Sequence, residues 1–254
     1  MYAHLLTIIL LLTSMRMSIG EDFDDGDFTK TCTCTQNSNS GYYCAAWTCR
    51  TVYDRRSVAC FSGRNLVQTR HHGKKPLSEI EIGEEVLAFD DFQPTYESLY
   101  DFIHAEKSHT YEFLRLTAIN PQRNSTSTIE MTSRHLIFRY GEKNAVHASN
   151  IRLNDQLMFI DGTDVIPARV INVEVVHSQG FYAPLTGSGT IILNGFVASN
   201  YAEVKNHDMA HLIMQPYRWW RTMLGPKKSI QPEINAYTGF LYYFAEKSGL
   251  LHLF

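Results

Sequence analysis

The chain has 254 residues, with 23 lysines and arginines against 26 aspartates and glutamates and a formal net charge of −3. That length allows one or two domains, and 44% hydrophobic residues suffice for a core, so a wholly disordered chain is excluded. The near balance of charge, with neither a basic stripe nor an acidic tail, points away from nucleic acid as a partner.

Residues 1–20 read as a secretory signal peptide. Residues 5–12 form an apolar core too short to cross a bilayer, which takes about 20 residues, and Ser18 and Gly20 place small side chains at the cleavage spacing. A secreted, extracellular chain processed in the secretory pathway is expected. Residues 21–59 form a short Cys-rich peptide with an acidic, solvated start. Cys32, Cys34, Cys44 and Cys49 lie in a span too small for a useful hydrophobic core, so two disulfides are expected, in any of three connectivities. A zinc knuckle is disfavoured, because no histidine lies near and the compartment oxidises thiols.

The fifth cysteine, Cys60, heads a segment that carries no other cysteine through to Phe254. A lone thiol in that position is a candidate nucleophile, or else a buried inert side chain. From Cys60 to about Tyr201, β-prone runs alternate with polar turns, and strands are expected around Val86, at residues 112–116, 170–176 and 190–193. Residues 78–90 can be laid on residues 149–161: Ile80, Ile82, Val86 and Phe89 answer Ile151, Leu153, Leu157 and Ile160, and Asp90 answers Asp161. Two related β units in tandem predict a pseudo-twofold all-β domain.

After Tyr201 the character changes. Met209, Leu212, Ile213, Tyr217, Trp220 and Leu224 recur at three- and four-residue intervals, as on an amphipathic helix interrupted at Pro216. A break at residues 225–228 precedes a second apolar cluster at residues 239–244 and 250–254. A helical cap packed on the β domain and a surface for an apolar ligand or a membrane both fit this composition.

Several motifs occur in one order: Cys60-Phe61-Ser62-Gly63, Lys75-Pro76-Leu77, Ile82-Gly83-Glu84-Glu85-Val86-Leu87, Thr132-Ser133-Arg134-His135, Ala183-Pro184-Leu185-Thr186 and Gly189-Thr190-Ile191. With residues 206–223 and 239–244, they make the chain resemble the Hint modules of hedgehog-type proteins and inteins, and most closely the hedgehog-related proteins of nematodes. The resemblance implies a Hint autoprocessing domain over residues 60–201. It also implies a mainly helical, aromatic-rich sterol or adduct recognition region over residues 202–254, with Tyr217, Trp219, Trp220, Phe240 and Tyr243 as candidates for lipid contact.

The same resemblance implies the chemistry. Cys60 attacks the carbonyl of Ala59, turning the Ala59-Cys60 peptide bond into a thioester, with Thr132 and His135 serving this first step. A sterol or other lipid alcohol is the co-substrate that intercepts the thioester; no other cofactor and no metal is expected. In hedgehog proteins an aspartate activates the alcohol, and His104 stands at the matching position, with Asp101 three residues away as a substitute in another register. Asn200 stands where hedgehog proteins carry a second cysteine. The expected product is a lipidated peptide of residues 21–59 acting in cell-cell signalling or the extracellular matrix, with a membrane surface and a receptor or matrix component as partners.

The rival readings are hydrolytic self-cleavage without lipid transfer, a cysteine hydrolase acting on other substrates, and a non-catalytic extracellular binding protein. Asn124-Ser125-Thr126 is a glycosylation sequon in a polar loop.

Overall fold

The structure is a computed structural model. It describes residues 28–37 and 44–53 by backbone, and residues 60–202 and 207–224. The expected signal peptide, Ala59, Phe240 and Tyr243 lie outside the described residues. The chain divides into two compact units, residues 1–56 and 57–254.

In the first unit, β1 (Phe28–Asn37) and β2 (Cys44–Tyr53) pair as an antiparallel ribbon. Its register sets Cys32 opposite Cys49 and Cys34 opposite Trp47; beyond two irregularities Cys44 stands opposite Asn37. Directly opposed residues of an antiparallel pair have α-carbons about 4.5 or 5.5 Å apart, inside the range a disulfide spans.

The second unit is built on strands. These are β3 (Leu66–Thr69), β4 (Gly73–Pro76), β5 (Glu85–Asp90), β6 (Gln93–Ser98), β7 (Asp101–Asn120), β8 (Ser125–Met131), β9 (His135–Ile137), β10 (Val146–His147), β11 (Gln156–Asp161), β12 (Asp164–Leu185), β13 (Thr190–Leu193) and β14 (Phe196–Ala202). They form one sheet in the order β6-β5-β3-β13-β14-β11-β12-β7-β8, with β4, β9 and β10 paired alongside. The long β7 and β12 are antiparallel partners from Arg169 opposite Ile119 to Leu185 opposite Asp101. Phe61, Leu77, Val86, Leu116, Ile129, Leu157, Val170, Tyr182 and Phe196 share the main core.

The predicted repeat is visible bond for bond. Ile80 N–H donates to Leu77 O and Ile151 N–H to Ala148 O, each closing a short 3-10 turn. Gly83 N–H donates to Leu99 O, and Leu99 N–H to Glu84 O; Asn154 N–H donates to Val170 O, and Val170 N–H to Asp155 O. Gly83 (φ 98°) and Asn154 (φ 71°) both take the left-handed conformation that this corner needs, which glycine and asparagine adopt most readily. Each corner then feeds a hairpin, β5 with β6 and β11 with β12.

Beyond the sheet lie α1 (His207–Ile213) and α2 (Gln215–Leu224). Pro216 sits in the first turn of α2, where a missing N–H breaks no helical bond. The packed face agrees with the expected one only in part: Tyr217 is buried and Ile213 half-buried as expected, with Ala210, Met214 and Arg221 buried beside them, while Met209, Leu212 and Trp220 of the expected face are exposed, as are Trp219 and Met223. The cause is a buried carboxylate. Arg221 Nε lies 3.3 Å from Asp101 Oδ2, its guanidinium donates to Tyr100 O at 3.2 Å, and the Tyr217 hydroxyl donates to the same carboxylate. An ion pair with both partners shielded from water must be kept together, so it sets the rotation of the helix against the apolar count. Tyr217 therefore points inward, its hydroxyl on Asp101. Among the described residues no helix is long and apolar enough to cross a membrane.

Two outcomes follow from this geometry. Non-reducing peptide mapping of the exported chain should recover Cys32 joined to Cys49, and a Cys32–Cys44 link would contradict the ribbon register. Asp101→Ala strands Arg221 without its anion and should lower stability by about 3–5 kcal/mol in chemical denaturation.

Candidate active site

Cys60 is fully buried. It is held there by its neighbour. Phe61 N–H donates to Tyr182 O at 2.8 Å and Tyr182 N–H donates back to Phe61 O at 2.9 Å, so the start of the domain is stitched onto β12. Gly63 is required by this approach, because a Cβ there would come within 2.7 Å of the Tyr182 ring. On its other side Phe61 bridges Met131 at the end of β8, which brings Thr132 beside Cys60.

Thr132 holds Cys60 from two directions. Cys60 N–H donates to Thr132 Oγ1 at 3.1 Å, and Thr132 N–H donates to Cys60 O at 2.9 Å. The Cys60 nitrogen is the nitrogen of the Ala59-Cys60 bond. The acyl half of that bond, on Ala59, lies outside the described residues.

His135 follows one turn later, its N–H donating to Thr132 O at 3.1 Å. The imidazole is fully buried and packs on the Phe61 ring at a centroid distance of 3.9 Å. Nε2 lies 2.7 Å from Ser199 O, and since a carbonyl can only accept, Nε2 carries the hydrogen. In the neutral ring Nδ1 then presents a lone pair, and it is buried with no hydrogen-bond partner among the described residues. Burial pulls the His135 pKa down to about 4, with nearby His147 acting in the same direction and the Ser199 carbonyl opposing. The ring is therefore neutral at neutral pH, a base whose conjugate acid gives up its proton readily.

Sequence reasoning did not reach Ser199. A backbone carbonyl leaves no mark in a sequence, and only the pairing of β14 with β9 brings this one to the histidine. The Ser199 hydroxyl accepts from Tyr201 N–H at 2.9 Å and lies 2.9 Å from His207 Nδ1 in α1, so the residue that orients His135 is itself tied to the first helix.

His104 is buried in β7, opposite Ala183 of β12, with its ring edge-on to Phe181 at 5.3 Å. Asp101 is engaged by Tyr217 and Arg221 as described. Asn200 is buried and donates to Thr186 Oγ1 at 2.7 Å, while Thr186 donates to Thr190 O at 2.6 Å. Trp219 and Trp220 are 61% and 52% exposed. Asn124 is exposed in the turn between β7 and β8, at φ 47°. For Cys32, Cys34, Cys44 and Cys49 the backbone alone is described. Among the described residues no cluster of three or more His, Cys, Asp or Glu side chains could hold a metal ion.

The Hint module family matches residues 51–247 of the chain. The chain is 30% identical over 199 residues to the Indian hedgehog protein of Xenopus laevis, a match covering 74% of this chain and 48% of that protein. It is 29% identical over 187 residues to Protein hedgehog of Drosophila virilis, covering 71% and 38%, and 24% identical over 160 residues to Warthog protein 1 of Caenorhabditis elegans, covering 61% and 32%. The chain thus spans about half or less of the length of these relatives. Among solved structures, the gp41-1 intein aligns with a TM-score of 0.44 and 15% identity, over 56% of this chain and 99% of that one.

The buried histidine gives a pH signature. Its folded pKa, about 4, lies below the ordinary 6.5, so between these values the unfolded chain binds the proton first. His135 therefore supports folding fully above about pH 6.5, and that support is lost as pH falls toward 4, a contribution on the order of 3 kcal/mol. Denaturation series from pH 7 to 4 should show a shallower loss for His135→Gln than for wild type; equal slopes would mean the ring is not held neutral.

Proposed function

Because this chain belongs to the Hint module family, as a hedgehog-related Hint protein, we propose that it is a self-cleaving precursor that breaks the bond between Ala59 and Cys60. The observation that carries this reading is the two-ended hold of Thr132 on Cys60, which fixes the nitrogen of the proposed scissile bond. In the first step Cys60 Sγ bonds to the Ala59 carbonyl carbon and the bond from that carbon to Cys60 N breaks. The proton lost by the thiol reaches that nitrogen, with neutral His135 taking it on Nδ1 and giving it up again. Nucleophile and electrophile are adjacent in one chain, so no entropy of association opposes the step. As the carbonyl carbon turns tetrahedral the nitrogen loses its amide resonance and becomes basic. Thr132 keeps it in place meanwhile, and the Ser199 carbonyl stabilises the transient imidazolium through Nε2–H.

In the second step an alcohol oxygen bonds to the thioester carbon and its proton passes to His104; the carbon–sulfur bond breaks, Cys60 leaves as the thiolate, and the proton on His104 is returned to it. The acceptor is a sterol or another lipid alcohol, and the released product is the peptide of residues 21–59 with its carboxyl esterified, tethered to a membrane for signalling or matrix roles. The exposed Trp219, Trp220 and Met223 are suited to drawing that acceptor from a lipid surface. The C-terminal region is thus an accessory to a single-turnover enzyme whose substrate is its own chain. His104 favours one second reading: a neutral base in place of a carboxylate also suits water, and then the product is a free acid.

Intact mass spectrometry of the fragment ending at Ala59, with Cys60→Ala as the control, separates these readings. Wild type should yield the fragment with an added lipid mass, and the control should stay whole. A fragment at hydrolysis mass would remove lipid transfer, and an uncut wild-type chain would remove self-cleavage. For the first step, dithiothreitol-driven release should fall about 100-fold or more in His135→Ala, with a smaller loss in Thr132→Ala.

A further inference from the structure

The pairing of Phe61 with Tyr182 has a geometric consequence one residue earlier. Since those two residues exchange both of their hydrogen bonds across an antiparallel bridge, the preceding pair is Cys60 opposite Ala183. Ala183 in turn stands opposite His104 in the ladder between β12 and β7. Cys60, Ala183 and His104 therefore form one row across three strands, with side chains on the same face of the sheet. The outer two α-carbons of such a row lie about 10 Å apart. All three residues are buried, at 0%, 2% and 2% exposure. Phe181, two residues along on the same face, closes the row beside His104.

We infer that Ala183 is the specificity-determining residue of the second step: its single methyl leaves the gap in which an acceptor hydroxyl reaches the Cys60 thioester on one side and His104 on the other. This rests on the proposed acyl transfer and deepens it. The acceptor oxygen must come to about 3 Å from the thioester carbon and within hydrogen-bond reach of the imidazole at once. A row about 10 Å wide, filled from both ends by Cys60 and His104, has room for that oxygen and its carbon only if the middle residue is small. Valine at 183 would place two more methyl groups in the gap, and a buried, close-packed site has little freedom to move aside. Water and a small thiol fit beside a larger side chain where the ring carbon of a sterol does not. The side chain at 183 then decides between lipid ester and free acid without taking part in bond making.

The test uses the full chain with two probes, dithiothreitol and cholesterol in detergent, read by intact mass of the fragment ending at Ala59. In Ala183→Val, release by dithiothreitol should stay within about threefold of wild type, which reports an intact fold and first step, while the esterified share falls at least tenfold in favour of free acid. An unchanged esterified share in a variant that still releases with thiol overturns the inference and leaves the acyl-transfer reading standing. A wild-type chain that gives free acid alone overturns both. Where valine abolishes thiol release too, Ala183→Gly decides. It should keep thiol release and extend transfer to a tertiary sterol alcohol that wild type refuses, and an unaltered acceptor range would overturn the inference.

Discussion

The molecule is organised around the pair formed by Cys60 and Thr132. The repeat that carries Ser78 onto Ser149 carries Cys60 onto Met131 and Phe61 onto Thr132. The structure pairs Phe61 with Met131 in antiparallel sense and sets Cys60 against Thr132 beside them. Equivalent segments thus face each other across the pseudo-twofold seam, each residue opposite the equivalent of its neighbour. An antiparallel contact between equivalent segments reproduces itself under the twofold, so two copies of one β unit meet there without a special connection. Cys60, the proposed nucleophile, opens the first unit, and Thr132, which grips it, stands at the start of the second. Neither unit alone could hold the bond.

The seam also explains the burial of the site. With Phe61 in the main core and its ring against His135, water is kept from the imidazole, and burial drives its pKa down. An ordinary exposed histidine would be partly charged near neutral pH and would lack a lone pair in that fraction. Here the ring is neutral, its hydrogen fixed on Nε2 by Ser199 O, and its free nitrogen has no competing partner among the described residues. Ser199 passes the constraint outward to His207, whose ring stacks on His211 at 5.8 Å, and His211 meets Tyr201 and Arg218. The first helix is thereby connected to the histidine through one serine.

Much of this was legible in the sequence, for identifiable reasons. The repeat could be read because its corners demand a left-handed residue, Gly83 in one and Asn154 in the other, between apolar positions of matching period. The strands were legible only in pieces. β7 and β12 run for 20 and 22 residues, but the alternation is legible only over residues 112–116 and 170–176; the exposed polar run at residues 107–110 of β7 carries none, so one strand reads as separate pieces. The helix face is rotated from the expected one, with Tyr217 kept inside and Met209, Leu212 and Trp220 left out, because periodicity counts apolar residues, whereas Asp101 inside the domain demands Arg221. The approach of Cys60 to Ala183 and His104 joins three segments far apart in the chain, and no local pattern encodes it.

The two proposed steps draw on different strand pairs, and this separation has consequences for how the chain departs from its hedgehog relatives. In the proposal Thr132 and His135 serve the nitrogen that leaves from the seam, and Ala183 and His104 serve the oxygen that arrives from the β12–β7 ladder. A change in the ladder need not disturb the seam, since Phe61 and Tyr182 join them through backbone hydrogen bonds that no side-chain substitution removes. His104, where the hedgehog resemblance leads one to expect an aspartate, lies in the ladder. Asn200, where the resemblance leads one to expect a cysteine, ties β14 to Thr186. Neither takes part in the hydrogen bonds between Thr132 and Cys60, so in the proposed mechanism the acceptor can vary while the bond that is cut stays the same.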